Sequence, residues 1–239
     1  MCMFSVDELR KNLHCALGVD NYYFMGSFAL GKLINQNIEN NNIDIVVKDL
    51  ETKNLAVLEV VRFVEESRSK ICEYSVAGSD DLSYYRVTLE NKGKKIMVSI
   101  FISEEIIGDF TATVLDRVSS YGYRYAGLEL YAAWCVKILN YGDRECILDR
   151  VSTFIDFYLI DSYVACKGYF CYNSFKNYIE RLGADTPDVR RGLEEVLKNY
   201  SYFLSWLDFT VMKEYGISDD AHQIISRVRM ILENGYELG

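Results

Sequence analysis

Apolar positions recur at helical spacing in residues 6–17, "VDELRKNLHCAL", where Val6, Leu9, Leu13 and Leu17 fall on one side. "YYFM" then predicts a short strand ending at Gly26. A short helix is expected from Ser27 to about Asn35, with Ser27 at its N-cap. An Asn-rich stretch, "NQNIENNN", leads to a second strand, "IDIVV". Residues 51–68 predict an amphipathic helix with Val57, Leu58, Val61 and Val64 inward, and Glu59, Arg62, Glu65 and Glu66 outward. Strands are expected over 71–76, 83–90 and 94–102, the last two joined by a hairpin at "ENKGKK". A shorter strand or turn region covers 111–125.

After Gly127 the pattern becomes helical almost throughout. Residues 128–139 are apolar nearly all round, which implies burial. In 145–160, Ile147, Leu148, Val151, Phe154, Ile155, Tyr158 and Leu159 form a core face, and Asp149, Ser152, Thr153 and Asp156 a polar stripe. Further helices fit 172–182, 187–200, 202–215 and 218–234, with starts at Thr186-Pro187 and at Ser218. The fold class read from this order is α+β. A mixed sheet of about five strands in 1–126 is followed by a helical bundle in 127–239.

Composition narrows the class. Half of the 239 residues are hydrophobic, 26% are charged and only one is proline, as in a globular protein with little disorder. The formal charge of −9 argues against non-specific binding of duplex DNA, which needs clustered Lys and Arg. The N-terminal residues carry acids where a signal peptide needs basic and then apolar positions, and no uninterrupted apolar run is long enough to span a bilayer. A soluble, cytoplasmic protein with no membrane partner is expected. The seven cysteines are scattered irregularly, and the only histidines are His14 and His222, so neither a disulfide framework nor a zinc site is indicated.

The candidate chemistry lies in "FMGSFALGKLINQNIENNNIDIVV", residues 24–47. Side chains alternate along a strand, so Asn42, Asp44 and Val46 face one way and Ile43, Ile45 and Val47 the other. Gly26 permits close approach of backbone N–H groups to a phosphate, and the following helix presents its positive end there. Asp44 opposite this turn could hold Mg²⁺ between protein and triphosphate.

"FMGSFAL" followed by "NNIDIVV" resembles the nucleotidyltransferase fold of the polymerase-β superfamily, and within it the AbiEii-type toxin nucleotidyltransferases. "LELYAAWCVKIL" and "FIDFYLI" fall where that family has a Lys-bearing helix and an Arg-Asp-x-x-Asp helix, so the resemblance spans roughly residues 20–165. It implies that Gly26 and Ser27 bind nucleotide phosphates and that Asp44 is a metal-binding acid. The partner acid falls on Asn42, and the preceding Arg and Ser on Ile38 and Asn40. The third acid falls on Ser99, and the lysine on Trp134, one turn from Lys137. Only the last acid of the later motif remains, at Asp156.

Nucleotidyl transfer in this fold uses carboxylates that hold two metal ions about 3.5–4 Å apart. Two readings follow from one remaining acid. The first is an enzyme that moves a nucleotide from an NTP to an RNA or protein acceptor with Mg²⁺, Asp44 holding the metal and Asn42 assisting, in a toxin–antitoxin setting by resemblance. The second is a catalytically degenerate member that keeps the fold as a nucleotide- or partner-binding module. Asp49, Asp80 or Asp81 could substitute for a lost acid if a loop brought one close. A helical interaction protein that only mimics the motif is a third, blander possibility.

Overall fold

The computed structural model describes residues 4–36, 38, 41–79, 82–102, 113–115, 121–140, 147–167, 169–184, 205, 207, 217, 220–233 and 238. The chain is α+β and divides into two compact units. One comprises residues 1–29 and 40–127, the other residues 30–39 and 128–239.

The first unit is built on a mixed sheet. Its strands are β1 (Tyr22–Met25), β2 (Asn42–Val47), β3 (Lys70–Ser79), β4 (Leu82–Asn91), β5 (Lys94–Ile102), β6 (Thr113–Leu115) and β7 (Arg124–Ala126), in the order β3-β4-β5-β2-β1-β7-β6. Among the described residues the sheet has seven strands where about five were expected, and β6 and β7, of three residues each, fall within or at the edge of the 111–125 region read as a shorter strand or turn. β1 and β2 run antiparallel, whereas β5 lies parallel to β2 and β7 parallel to β1.

Local chemistry sets the boundaries of these elements. Helix α1 (Val6–Leu17) starts at Ser5, whose hydroxyl accepts the Glu8 N–H at 3.2 Å. The β4–β5 hairpin turns through Lys92 and Gly93, at φ 52° and 80°. Two successive left-handed residues match the twist of the flanking strands. Helix α2 (Gly26–Ile34) begins at Gly26, one residue before the expected cap, so Ser27 lies buried within its first turn.

α1 and α3 (Leu50–Ser67) cover one sheet face. Leu9, Leu13, Leu17, Ala56, Val60 and Phe63 meet Tyr22, Phe24, Ile43, Ile45, Val87, Val98 and Ile100. The inward face of α3 differs from the expected one. Leu58 is 63% exposed and Leu55 and Val61 are also exposed, whereas Glu59 is only 6% exposed. Residues 55–64, "LAVLEVVRFV", are apolar on almost every side, so periodicity cannot orient the helix. Burial of Phe63, Val60 and Ala56 orients it, and Glu59 is carried inward with them.

The second unit contains α4 (Leu128–Asn140), α5 (Ile147–Lys167), α6 (Tyr172–Arg181) and α7 (Ala221–Glu233). α4 packs on α5 and α6, and α7 on α5. Trp134, Phe154, Phe157, Phe175, Ile224 and Val228 are buried. Of the polar stripe expected on α5, Thr153 and Asp156 are buried and Ser152 is half-buried, while the side chain of Asp149 lies outside the described residues. The expected helices at 187–200 and 202–215 lie largely outside the described residues, as does most of 111–120. No helix among the described residues is long and apolar enough to cross a membrane.

Candidate functional site

β1 delivers the chain to Gly26, and β2 returns antiparallel beside it with Met25 opposite Asp44. Gly26 has φ 71°, in the left-handed region that costs an L-residue with a side chain about 1–2 kcal/mol. A Cβ on Gly26 would lie 2.1 Å from Asp44 Oδ2 and 3.0 Å from its Cγ. The carboxylate is therefore seated directly against the glycine backbone at the start of α2. Only a residue without a side chain meets both demands.

Asp44 and Asn42 are half-buried, while Ser27 and Met25 are buried. The parallel register places Asp44 opposite Ser99 and Asn42 opposite Met97, and antiparallel pairing places Ser99 opposite Arg86. Paired residues share a sheet face, so Met25, Asp44, Ser99 and Arg86 form one row across four strands. Ser99 is completely buried, and Arg86 Nε donates to its Oγ at 3.3 Å.

A second arginine approaches from α1. Arg10 is 4% exposed, donates from Nη1 to Asp7 at 3.0 Å and from Nη2 to the Asn42 carbonyl at 3.0 Å, and stacks 3.6 Å above the Phe28 ring. Burial pulls its guanidinium pKa down, opposed by Asp7 and, more weakly, by Tyr123 and Asp44. Arg10 thus ties α1 to the first residue of β2 and contributes positive potential at Asp44. Its position in "VDELRKNL" reads as an outward residue of an amphipathic helix, which is why sequence reasoning passed it over. Arg86, an isolated charge within a strand, gave no signal either.

The other sequence-predicted residues are dispersed. Asp49 caps α3, its carboxylate accepting the Thr52 N–H and hydroxyl at 2.7 Å each, and those bonds hold its pKa below the usual carboxylate value. Asp80, Asp81 and Asn40 lie outside the described residues. Trp134 is buried in the second unit and Lys137 is half-buried. Asp156 is 3% exposed and accepts a 2.5 Å hydrogen bond from the Tyr131 hydroxyl. That contact anchors α5 to α4.

The donor set can be compared with what a pair of Mg²⁺ ions requires. Among the described residues, no three His, Cys, Asp or Glu side chains converge on one point. Asp44 is the one carboxylate in its row, and the neighbouring hydroxyl of Ser99 accepts from a guanidinium. Hard cations of this kind take oxygen ligands and are repelled by fixed positive charge. The residues of this row do not fit a two-cation centre.

The sequence matches no family model and no curated protein. Among solved structures, the chain is similar to JHP933 from Helicobacter pylori at 12% identity and a TM-score of 0.48, over 96% of this chain and 90% of that one. It is also similar to a candidate nucleotidyltransferase from H. pylori at 13% identity and a TM-score of 0.39, over 81% and 96%.

Proposed function

We propose that this protein is a nucleotidyltransferase-fold module that binds a nucleotide through the Gly26–Ser27 turn. The observation that carries this reading is the left-handed Gly26 packed against the Asp44 carboxylate at the start of α2. It sets the N-terminus of a helix beside an acid on the neighbouring strand. Phosphates bind such backbone N–H groups. The row Met25, Asp44, Ser99 and Arg86 supports a binding role over nucleotide transfer, because one acid stands where transfer chemistry uses several.

The alternative is an active enzyme that uses Mg²⁺ at Asp44, assisted by Asn42, to place a nucleotide on an RNA or protein acceptor. One pair of experiments separates the two. Calorimetric titration with each of four NTPs, with and without Mg²⁺, should give saturable binding to wild type and none to a folded Gly26→Ala variant. Radiolabelled NTP with RNA and protein acceptors should give no labelled product. Labelled product that vanishes in Asp44→Ala would establish the enzyme. No NTP binding under any condition would overturn the nucleotide reading and direct attention to protein partners.

A further inference from the structure

We propose that the outer edge of β3 is a docking site for an extended acidic peptide, which adds a strand to the sheet and lays its carboxylates on the basic corner beside Lys70. β3 (Lys70–Ser79) is an end strand: β4 pairs with one side of it, and no strand among the described residues pairs with the other. All six residues from Ile71 to Val76 are exposed. Such an edge offers a row of backbone N–H and C=O groups to a chain that arrives extended. Charge, proline or a bulge commonly blunts an edge of this kind. Here Lys70, Glu73 and a bulge between Ile71 and Glu73 guard the first residues, whereas 74–79, "YSVAGS", carries neither charge nor proline.

The side chains around this edge define what the added strand carries. Ile71, Tyr74 and Val76 stand opposite Leu89, Val87 and Tyr85, so they share the sheet face whose inner strands α1 and α3 cover. They are nevertheless 45%, 63% and 54% exposed, so the apolar face continues past the helices to the edge. An added strand covers that row with an apolar side chain at every second position. At the start of β3 the surface turns basic. Lys70, Glu90 and Lys95 form one row across β3, β4 and β5, and Lys92 and Lys94 lie at the hairpin end beside it. Asn91 Nδ2 donates to the Ser67 carbonyl at 2.7 Å, which ties this hairpin to the end of α3, where Arg68 is the cap. Arg68, Lys70, Lys92, Lys94 and Lys95 are all exposed. Residues 68–72 and 90–95 thus hold five bases and one acid, Glu90, which already pairs with Lys70 at 3.3 Å and accepts from the Cys72 thiol. In a chain of net charge −9 this corner is a local excess of positive charge. A nucleic acid would answer the charge but not the apolar strand edge. A peptide strand that ends in carboxylates answers both.

The test is fluorescence anisotropy with the full chain and labelled peptides. The probes are three Thr-Val repeats followed by four glutamates, preceded by four glutamates, or followed by four lysines. Saturable binding of a glutamate peptide is expected, and the end that must carry the acids reports whether the added strand runs antiparallel or parallel to β3. The lysine peptide should bind at least about 10-fold more weakly, the scale of a few exposed ion pairs. N-methylation of one alternate set of backbone nitrogens should abolish binding, and of the other set preserve it, because only one edge of the peptide faces β3. Two variants at exposed positions, Tyr74→Lys with Val76→Lys and Lys92→Glu with Lys94→Glu and Lys95→Glu, should each weaken binding about 10-fold, with circular dichroism confirming the fold. Binding that is indifferent to both the charge and the N-methylation of the peptide would overturn the proposal. So would binding of oligouridylate with none of any peptide, which would give the corner to nucleic acid. A wild-type dimer in sedimentation velocity that Val76→Lys dissociates would overturn it too, since a second copy would then occupy the edge. The N-methylated pair alters only the peptide, so it decides the question even if a variant misfolds.

Discussion

Replacement of Gly26 by alanine isolates the contact on which the site is built. Two penalties add. Holding alanine at φ 71° costs about 1–2 kcal/mol. The new methyl would also stand 2.1 Å from Asp44 Oδ2, and relief of such overpacking costs about 1–3 kcal/mol more. The single substitution should therefore destabilise the first unit by about 2–5 kcal/mol. Asp44→Ala removes the contacts at 2.1 and 3.0 Å and leaves only the Cβ contact at 3.1 Å. In that background Gly26→Ala should cost only the backbone term, about 1–2 kcal/mol. Urea unfolding should be followed by hydrogen exchange of the β2 amides, which lie in the first unit, with all four proteins of the cycle compared. Equal penalties in the two backgrounds, within about 0.5 kcal/mol, would refute the seating of the carboxylate against Gly26.

Three further perturbations test the surrounding structure. Glu59 is buried on α3, its Oε1 has no hydrogen-bond partner, its Oε2 lies 3.5 Å from Nη1 of the exposed Arg62, and burial raises its pKa, so Glu59→Met should raise stability at neutral pH by about 1 kcal/mol in urea unfolding; a loss would mean that the Arg62 pair outweighs the cost of burying the carboxylate. Asp156→Ala removes the acceptor of the Tyr131 hydroxyl's buried hydrogen bond and should cost about 1–3 kcal/mol, against less than about 0.5 for a solvated stripe residue, as read from circular dichroism in urea. His14 lies 2.6 Å from the Tyr22 hydroxyl, and burial lowers its pKa below 6.5, so the unfolded chain binds the proton more readily than the folded one. Its contribution is complete above pH 6.5 and is lost as pH falls through the lowered value; His14→Gln should flatten the stability profile in that window, and an unchanged profile would exclude His14 as its source.

By itself the sequence determined the elements whose periodicity is clean and the turn where they meet. Val6, Leu9, Leu13 and Leu17, spaced by three and then four, share a face only as a helix, and "YYFM" and "IDIVV" are short runs bounded by turn residues that read as strands. Gly26, Ser27 and Asp44 stood out only in combination, as a glycine turn opening a helix with an acid on the strand that follows, the arrangement that carries the resemblance. Periodicity failed where it was saturated. On α3, apolar residues surround the helix, and only the shape of the space over β2 and β5 selects Phe63 and Val60 while sending Leu58 to solvent and Glu59 inward. On α5, Asp156 has the spacing of a surface stripe, and the Tyr131 hydroxyl arriving from another helix helps to satisfy it where it is buried. Tertiary structure alone also decided what stands beside Asp44. Strand register brings Ser99 and then Arg86 into its row from positions 55 and 42 residues further along the chain, and α1 swings Arg10 to the first residue of β2 from 32 residues earlier. Ser99 was singled out by resemblance, but Arg86 and Arg10 carry no local signature, because a charge within a strand or on a helix reads as solvated until the sheet is closed around it.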